Sequence, residues 1–352
     1  MWRGLTQWLG GIGIIVVAMV FLPELRVGGM QIFRSEGFDT LGKILPRAGE
    51  IATRISFIYA ALTAACALAY LGSGMSGFDA ICHAMTTIAT GGFATADASF
   101  SNYGALAEYT AVIFMLLAAM PFVRFVQLVA GTARPLFFDP QIRLFLTLVA
   151  IVAAILALNA YLAGLDTESA VRKALFNGTS ILTGTGYSST DYTSWGSFTV
   201  TLIFFVGLIG GCAGSTSCSI KVFRYQLLFA SIRAQVQRIH APHGVFVPRY
   251  SGRRVSDDVL SSVMAFFVLF VVTLGLTSIV LGMTGLDFVT SVSGSAAALA
   301  NIGPGLGAEI GPAGNFAGLN DTAKVALTIA MLIGRLELLV VFTLLTLNFW
   351  RA

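Results

Sequence analysis

Ile88-Ala89-Thr90-Gly91-Gly92-Phe93, Leu182-Thr183-Gly184-Thr185-Gly186-Tyr187 and Ala300-Asn301-Ile302-Gly303-Pro304-Gly305 state one theme three times. Each follows the length of one short helix that opens at an acidic residue: Asp79, Asp166 (or Glu168) and Asp287. Each is followed, after a polar linker, by a long hydrophobic segment. Non-helical backbone at membrane depth is tolerated only where it is buried in protein or lines a water-filled path. Three such loops in register predict one pore wall built by repetition.

The rest of the composition agrees. Of 352 residues, 56% are hydrophobic and 11% charged, with a mean hydropathy of +0.84. A soluble domain cannot keep that much apolar surface from water, so the chain reads as an all-α polytopic membrane protein. The net charge of +4 is no nucleic-acid signal, because the basic residues sit in short loops between spans. Cys66, Cys82, Cys212 and Cys218 lie in apolar or glycine-rich surroundings without zinc spacing, and read as small buried side chains. No GxxxxGK[ST], HExxH or GxSxG pattern occurs, which argues against an enzyme.

Read in order, residues 1–22 form a membrane helix starting at an aromatic interface (Trp2, Trp8), with no small-x-small cleavage site to suggest a signal peptide. A basic loop follows, then a span at 51–71 and a hairpin whose helix covers 78–88. The span at 106–129 carries Pro121 in its middle, which should kink it. A further span at 144–163 precedes the second hairpin, 167–192. Residues 195–233 are too long for one crossing of about 20 residues. Their middle, 207–219, is a poor helix former, so helix, unwound stretch and second helix are expected there. A span at 259–282, a hairpin at 286–307 and a span at 323–349 complete the chain.

The loops at 23–54, 124–143 and 221–254, with the C-terminus, hold 16 of the 21 Lys and Arg residues. The positive-inside rule makes them cytoplasmic and turns the three glycine loops outward. Nine acids then face outside: Asp79, Asp97, Glu108, Asp166, Glu168, Asp191, Asp287, Glu309 and Asp321. Such a mouth concentrates cations. Asp79, Asp166 and Asp287 also suit helix N-termini.

Gly92, Gly186 and Gly303 occupy matching positions and can aim backbone carbonyls inward, where oxygens must replace a cation's hydration shell. Within 207–219, eleven of thirteen residues are Gly, Ala, Ser, Thr or Cys. Unwound backbone with small side chains and few packing contacts can move cheaply, which suits a gate; the plainer reading is a close helix crossing. Arg335 lies mid-span, where a charge is expensive and by default functional, and Glu337 falls on a different helical face. His240 and His243 sit in a solvated basic loop, and Asn177 matches a glycosylation pattern only inside a presumed pore helix.

Ala-Thr-Gly-Gly-Phe (89–93), Thr-Gly-Thr-Gly-Tyr (183–187), Asn-Ile-Gly-Pro-Gly (301–305), Gly-Gly-Cys-Ala-Gly-Ser-Thr (210–216) and Gly-Arg-Leu-Glu (334–337) together resemble the Trk/Ktr/HKT superfamily of potassium transporters, Trk-type membrane subunits most of all. That resemblance covers essentially the whole chain and implies helix–pore-loop–helix repeats around a pseudo-fourfold pore. Residues 51–133, 141–235 and 256–352 match the second, third and fourth repeats. Residues 1–22 match only the closing helix of the first, so the loop that weighs potassium against sodium is not among the matches.

The resemblance further implies a potassium-binding filter at Thr90, Gly91 and Gly92, at Thr183, Gly184, Thr185 and Gly186, and at Asn301, Ile302 and Gly303. It implies a gate at Gly210, Gly211, Ala213, Gly214 and Ser215, with Arg335 projecting beneath the filter. Potassium would be the sole metal, with no organic cofactor. The implied partners are a cytoplasmic nucleotide-binding regulatory subunit, a second copy in a homodimer, and membrane lipid. The implied location is the bacterial inner membrane. A coupled secondary cation transporter and a non-conducting fragment or regulatory paralogue are the alternatives.

Overall fold

The computed structural model describes residues 1–20 and 48–351. The basic loop expected at 23–54 therefore lies, up to residue 47, outside the described residues. The elements are α1 (Trp2–Val20), α2 (Ala48–Gly72), α3 (Gly77–Ile88), α4 (Ala105–Ala118), α5 (Phe122–Val129), α6 (Arg134–Phe138), α7 (Pro140–Leu162) and α8 (Thr167–Thr183). There follow α9 (Ser197–Gly207), α10 (Val222–His240), α11 (Asp257–Met283), α12 (Phe288–Leu299), α13 (Asp321–Arg335), α14 (Leu338–Leu344) and α15 (Leu347–Arg351). Among the described residues the only strands are Arg249–Tyr250 and Arg253–Arg254. Positive φ at both Ser251 and Gly252 closes that hairpin with the tight turn its strand twist favours.

Helices α2, α7 and α11 are each long and apolar enough to cross a membrane, and only 22–28% of each spanning window is buried. Their outward side chains are apolar too, Phe57, Ile151, Val268 and Val271 among them. A helix hydrophobic all round and mostly unburied by protein has lipid for its solvent. The chain is an all-α polytopic membrane protein.

Each long helix packs against the short helix that follows it: α2 on α3, α7 on α8, α11 on α12. The short helices begin with side-chain caps that fix where they start. Asp166 accepts from the Ser169 N–H at 3.1 Å, and Asp287 from those of Val289 and Thr290 at 3.0 and 3.3 Å. The first of the three opens instead at Ser76, which accepts from the Asp79 N–H at 3.1 Å while its hydroxyl reaches the Asp79 carboxylate at 2.7 Å. Asp79 thus sits one turn inside the helix, its carboxylate bonded to the hydroxyl of the cap residue.

Two spans are broken. At Pro121 the chain turns 89° between α4 and α5, because the ring supplies no N–H and cannot continue the helix. The span expected at 323–349 is not continuous either. It turns 109° between α13 and α14, with Glu337 at φ 66°. Arg335 and Glu337 each have a fixed partner in other elements, and a straight helix would carry both away from them.

Candidate functional site

The three glycine loops leave their helices in the same way. Thr90, Gly184 and Asn301 take left-handed φ values of 47°, 73° and 53°. Their N–H groups bond three residues back, to Thr87, Ile181 and Ala298 at 3.0–3.1 Å. The next N–H, of Gly91, Thr185 and Ile302, bonds five residues back, to Thr86, Ser180 and Ala297 at 2.8–2.9 Å. This is the left-handed cap that ends many helices, here with its donors all turned onto the helix. The following residue is again left-handed: Gly92, Gly186 and Gly303 have φ of 73°, 83° and 117°.

In extended backbone, successive carbonyls point to opposite sides. Alternating the sign of φ from residue to residue turns them toward one side instead. With the N–H groups spent on the helix, the oxygens are left over. Among the described residues no protein donor reaches the carbonyls of Thr90, Thr185, Ile302, Gly92, Gly186 or Gly303.

The loops also touch in sequence. A Cβ on Gly92 would lie 1.9 Å from the Thr185 carbonyl oxygen, and one on Gly186 would lie 1.8 Å from that of Ile302. Each glycine is the clearance into which the next loop's oxygen fits. At Gly303 the nearest atom is Gly186 Cα, at 4.0 Å. The corresponding oxygen of the first loop, on Gly91, accepts from Gln7 Nε2 of α1 at 2.6 Å. Gln7 Oε1 is buried beside it without a partner.

Residues 208–221 form the non-helical stretch between α9 and α10. Its neck is closed by Gly210 N–H to Ile220 O at 2.9 Å and Val222 N–H to Gly211 O at 3.1 Å. Its interior is tied to the break at Pro121. The N–H of Cys212 reaches Ala119 O at 3.0 Å, and the N–H of Phe122 reaches Gly214 O at 2.9 Å. Ala213 N–H bonds Gln141 Oε1 at 3.0 Å, and the Ser215 hydroxyl bonds Cys212 O at 2.6 Å. Gly211 N–H bonds Ser217 Oγ at 2.8 Å. The expected scarcity of contacts is therefore corrected: this stretch is tethered along its length, because the kink frees carbonyls that its donors take up.

Three of its hydroxyls reach the bases of the three glycine loops, one each. Thr216 Oγ1 donates to Ile88 O at 3.0 Å, Ser217 Oγ to Thr183 O at 2.6 Å, and Ser219 Oγ to Ala300 O at 3.2 Å. None of the three stood among the gate residues expected from sequence. The available signal was the run of hydroxyls at 215–219, unusual beside so many glycines.

Arg335 closes α13 against the same stretch, its Nη1 on Thr216 O at 3.4 Å and in contact with Cys218 Sγ. It does not pair with Glu337. That carboxylate binds Arg224 of α10 at 2.7 Å, and the Arg224 guanidinium lies 3.8 Å from the Phe266 ring centroid. Lys221, counted in the sequence with the basic loop at 221–254, donates from Nζ to Ser217 O.

Tyr187 anchors the second loop. Its hydroxyl lies 2.5 Å from Thr86 Oγ1, on the helix before the first loop, and its carbonyl accepts from Ser180 Oγ at 2.7 Å. Asn177 is fully buried, giving and accepting bonds with Ser189, so it is no glycosylation site. The acidic rim loses one member. Glu108 is buried and paired with Arg172 at 2.9 Å and Lys173 at 2.7 Å. Of the exposed acids, Asp166 is held below the usual carboxylate range chiefly by the Ser169 N–H, and Asp287 chiefly by Thr290.

A family model described as TrkH, cation transport protein, matches residues 1–349. The chain belongs to the TrkH family. It is 44% identical to the Trk system potassium uptake protein TrkI of Halomonas elongata, over all of this chain and 72% of that one. It is 38% identical to the Trk system potassium uptake protein TrkH of Vibrio parahaemolyticus, over all of this chain and 73% of that one. The crystal structure of the potassium transporter TrkH from V. parahaemolyticus superposes with a TM-score of 0.88 at 34% identity, covering 99% of this chain and 72% of that one. This TrkH-family chain is thus a transport protein and not an enzyme.

Proposed function

We propose that the chain is a membrane subunit for potassium uptake, in which dehydrated potassium passes the carbonyls of Thr90–Gly92, Thr183–Gly186 and Asn301–Gly303. The observation that carries this reading is the shared backbone of the three loops, whose alternating φ leaves oxygens without protein donors side by side. Such oxygens can replace a hydration shell. Residues 210–215 and Arg335 act below them as the gate, and the three repeats run over 51–133, 141–235 and 256–352. A cytoplasmic nucleotide-binding regulatory subunit works the gate. The subunit is a homodimer in the bacterial inner membrane, with the loops outward.

Rubidium uptake into proteoliposomes tests the filter. Gly186→Asp and Gly303→Asp are expected to reduce it at least tenfold, because a side chain at Gly186 displaces the Ile302 carbonyl and the φ of 117° at Gly303 is one a residue with a Cβ rarely adopts. Unchanged uptake and selectivity in both variants would overturn the assignment. Proteoliposomes in which the unaltered chain moves no rubidium would favour a non-conducting regulatory role instead.

A further inference from the structure

A cavity of about 40 Å³ lies between the 208–221 stretch, the α13–α14 turn and α11. Its charged lining is Lys221, Arg224, Arg335 and Glu337. Arg224 and Glu337 neutralise one another at 2.7 Å. Lys221 and Arg335 do not have that relief. Among the described residues, neither forms an ion pair with a carboxylate. What they hold instead is neutral: Lys221 the carbonyl of Ser217, Arg335 the carbonyl of Thr216 and the sulfur of Cys218. Two cations thus converge on one three-residue stretch, in a protein that pairs Glu108 with Arg172 and Lys173, and Arg224 with Glu337.

Carbonyl and thiol contacts satisfy hydrogen bonds but cancel no charge. Two like charges brought close inside a membrane protein call for counter-charge beyond that of Glu337, whose carboxylate is already bound to Arg224. Gly214 and Ser215 also line it, and among the described residues their backbone N–H groups have no acceptor. The space admits a monatomic ion with a water or two, given that a water needs on the order of 10–15 Å³. A phosphate ester or nucleotide is too large.

We propose that this cavity binds a monovalent inorganic anion of the halide class, held between the Lys221 ammonium and the Arg335 guanidinium. The bound anion partly neutralises the positive charge beside the gate, so it favours cation passage. That last consequence rests on the potassium reading above; the binding does not.

Bromide is the probe. The purified full chain is titrated with sodium bromide against sodium gluconate at fixed ionic strength, and Tm is followed. Crystals grown in bromide are examined for anomalous scattering. Expected are a saturating rise of Tm by a few degrees and a bromide peak in the cavity. Lys221→Gln and Arg335→Gln are expected to weaken the half-saturation point at least tenfold, with Lys221→Arg retaining it. A rise that does not saturate, or one equal in both glutamine variants, is a general salt effect and overturns the site. A wild-type crystal without the bromide peak overturns it with no variant needed. In proteoliposomes conducting rubidium, replacing chloride by gluconate is expected to cut flux at least twofold. Flux that is indifferent to the anion, with bromide bound, removes the transport consequence alone. Bromide binding with no rubidium flux at all defeats the potassium reading and leaves the site standing.

Discussion

Thr90 sits at φ 47°, a left-handed backbone that costs a residue with a Cβ about 1–2 kcal/mol. It is tolerated because the flanking N–H groups are already bonded to α3 and because Thr216 holds the base of the loop. Thr216 is consequently the side chain whose loss should be felt most. Thr216→Val removes the one hydroxyl donor shared by Ile88 O and Ala118 O, so stability should fall by about 1–3 kcal/mol. Resting rubidium flux should rise, since the gate loses its hold on the first glycine loop; thermal melts and flux assays read the two effects separately. Arg335 offers the contrasting case. Its partners are a carbonyl and a thiol rather than an acid, so Arg335→Ala strands no carboxylate. The variant should keep its Tm within a few degrees and pass more rubidium. A large loss of stability without added flux would assign the residue a packing role.

The helices before the loops are set by their caps, and the caps titrate. Asp166 and Asp287 have folded pKa values below their unfolded ones. Their contribution is therefore complete above the unfolded aspartate value, about 3.9, and is lost as pH falls through the lower folded value. Tm measured from pH 6 downward should hold until that range and then drop, and Asp287→Ala should flatten part of the drop. At neutral pH the same substitution should cost about 1 kcal/mol. Much of this scale was legible in the sequence. Apolar runs, Pro121 and the glycine-rich interval at 207–219 each mark a local preference that the fold keeps. What was not legible depends on where elements meet: the tethering of 208–221 to the kink, and the end of α13 at Arg335, where partners from α10 and the unwound stretch override helical continuity. The resemblance named the candidate loops, but the hydroxyls beneath them emerge only once three distant segments are brought together.

At the scale of the molecule, Glu108 joins the helix–loop–helix unit of α2–α4 to that of α7–α9. It is buried on α4, while Arg172 and Lys173 belong to α8. Glu108→Gln leaves two cations at a buried junction and should cost about 3–5 kcal/mol, measurable as lost thermal stability with the isolated helices still helical by circular dichroism. The ring of loops binds the units in a stricter way. Because Gly92 has room only for the Thr185 oxygen and Gly186 only for that of Ile302, neither of these contacts can be altered from one side alone. A backbone change tolerable in one unit must be matched in the next, although nearly a hundred residues or more separate them along the chain. Gene duplication ordinarily frees each copy to diverge. Here the copies remain each other's environment, so a side chain at Gly92 or Gly186 is expected to need a compensating change in the neighbouring loop.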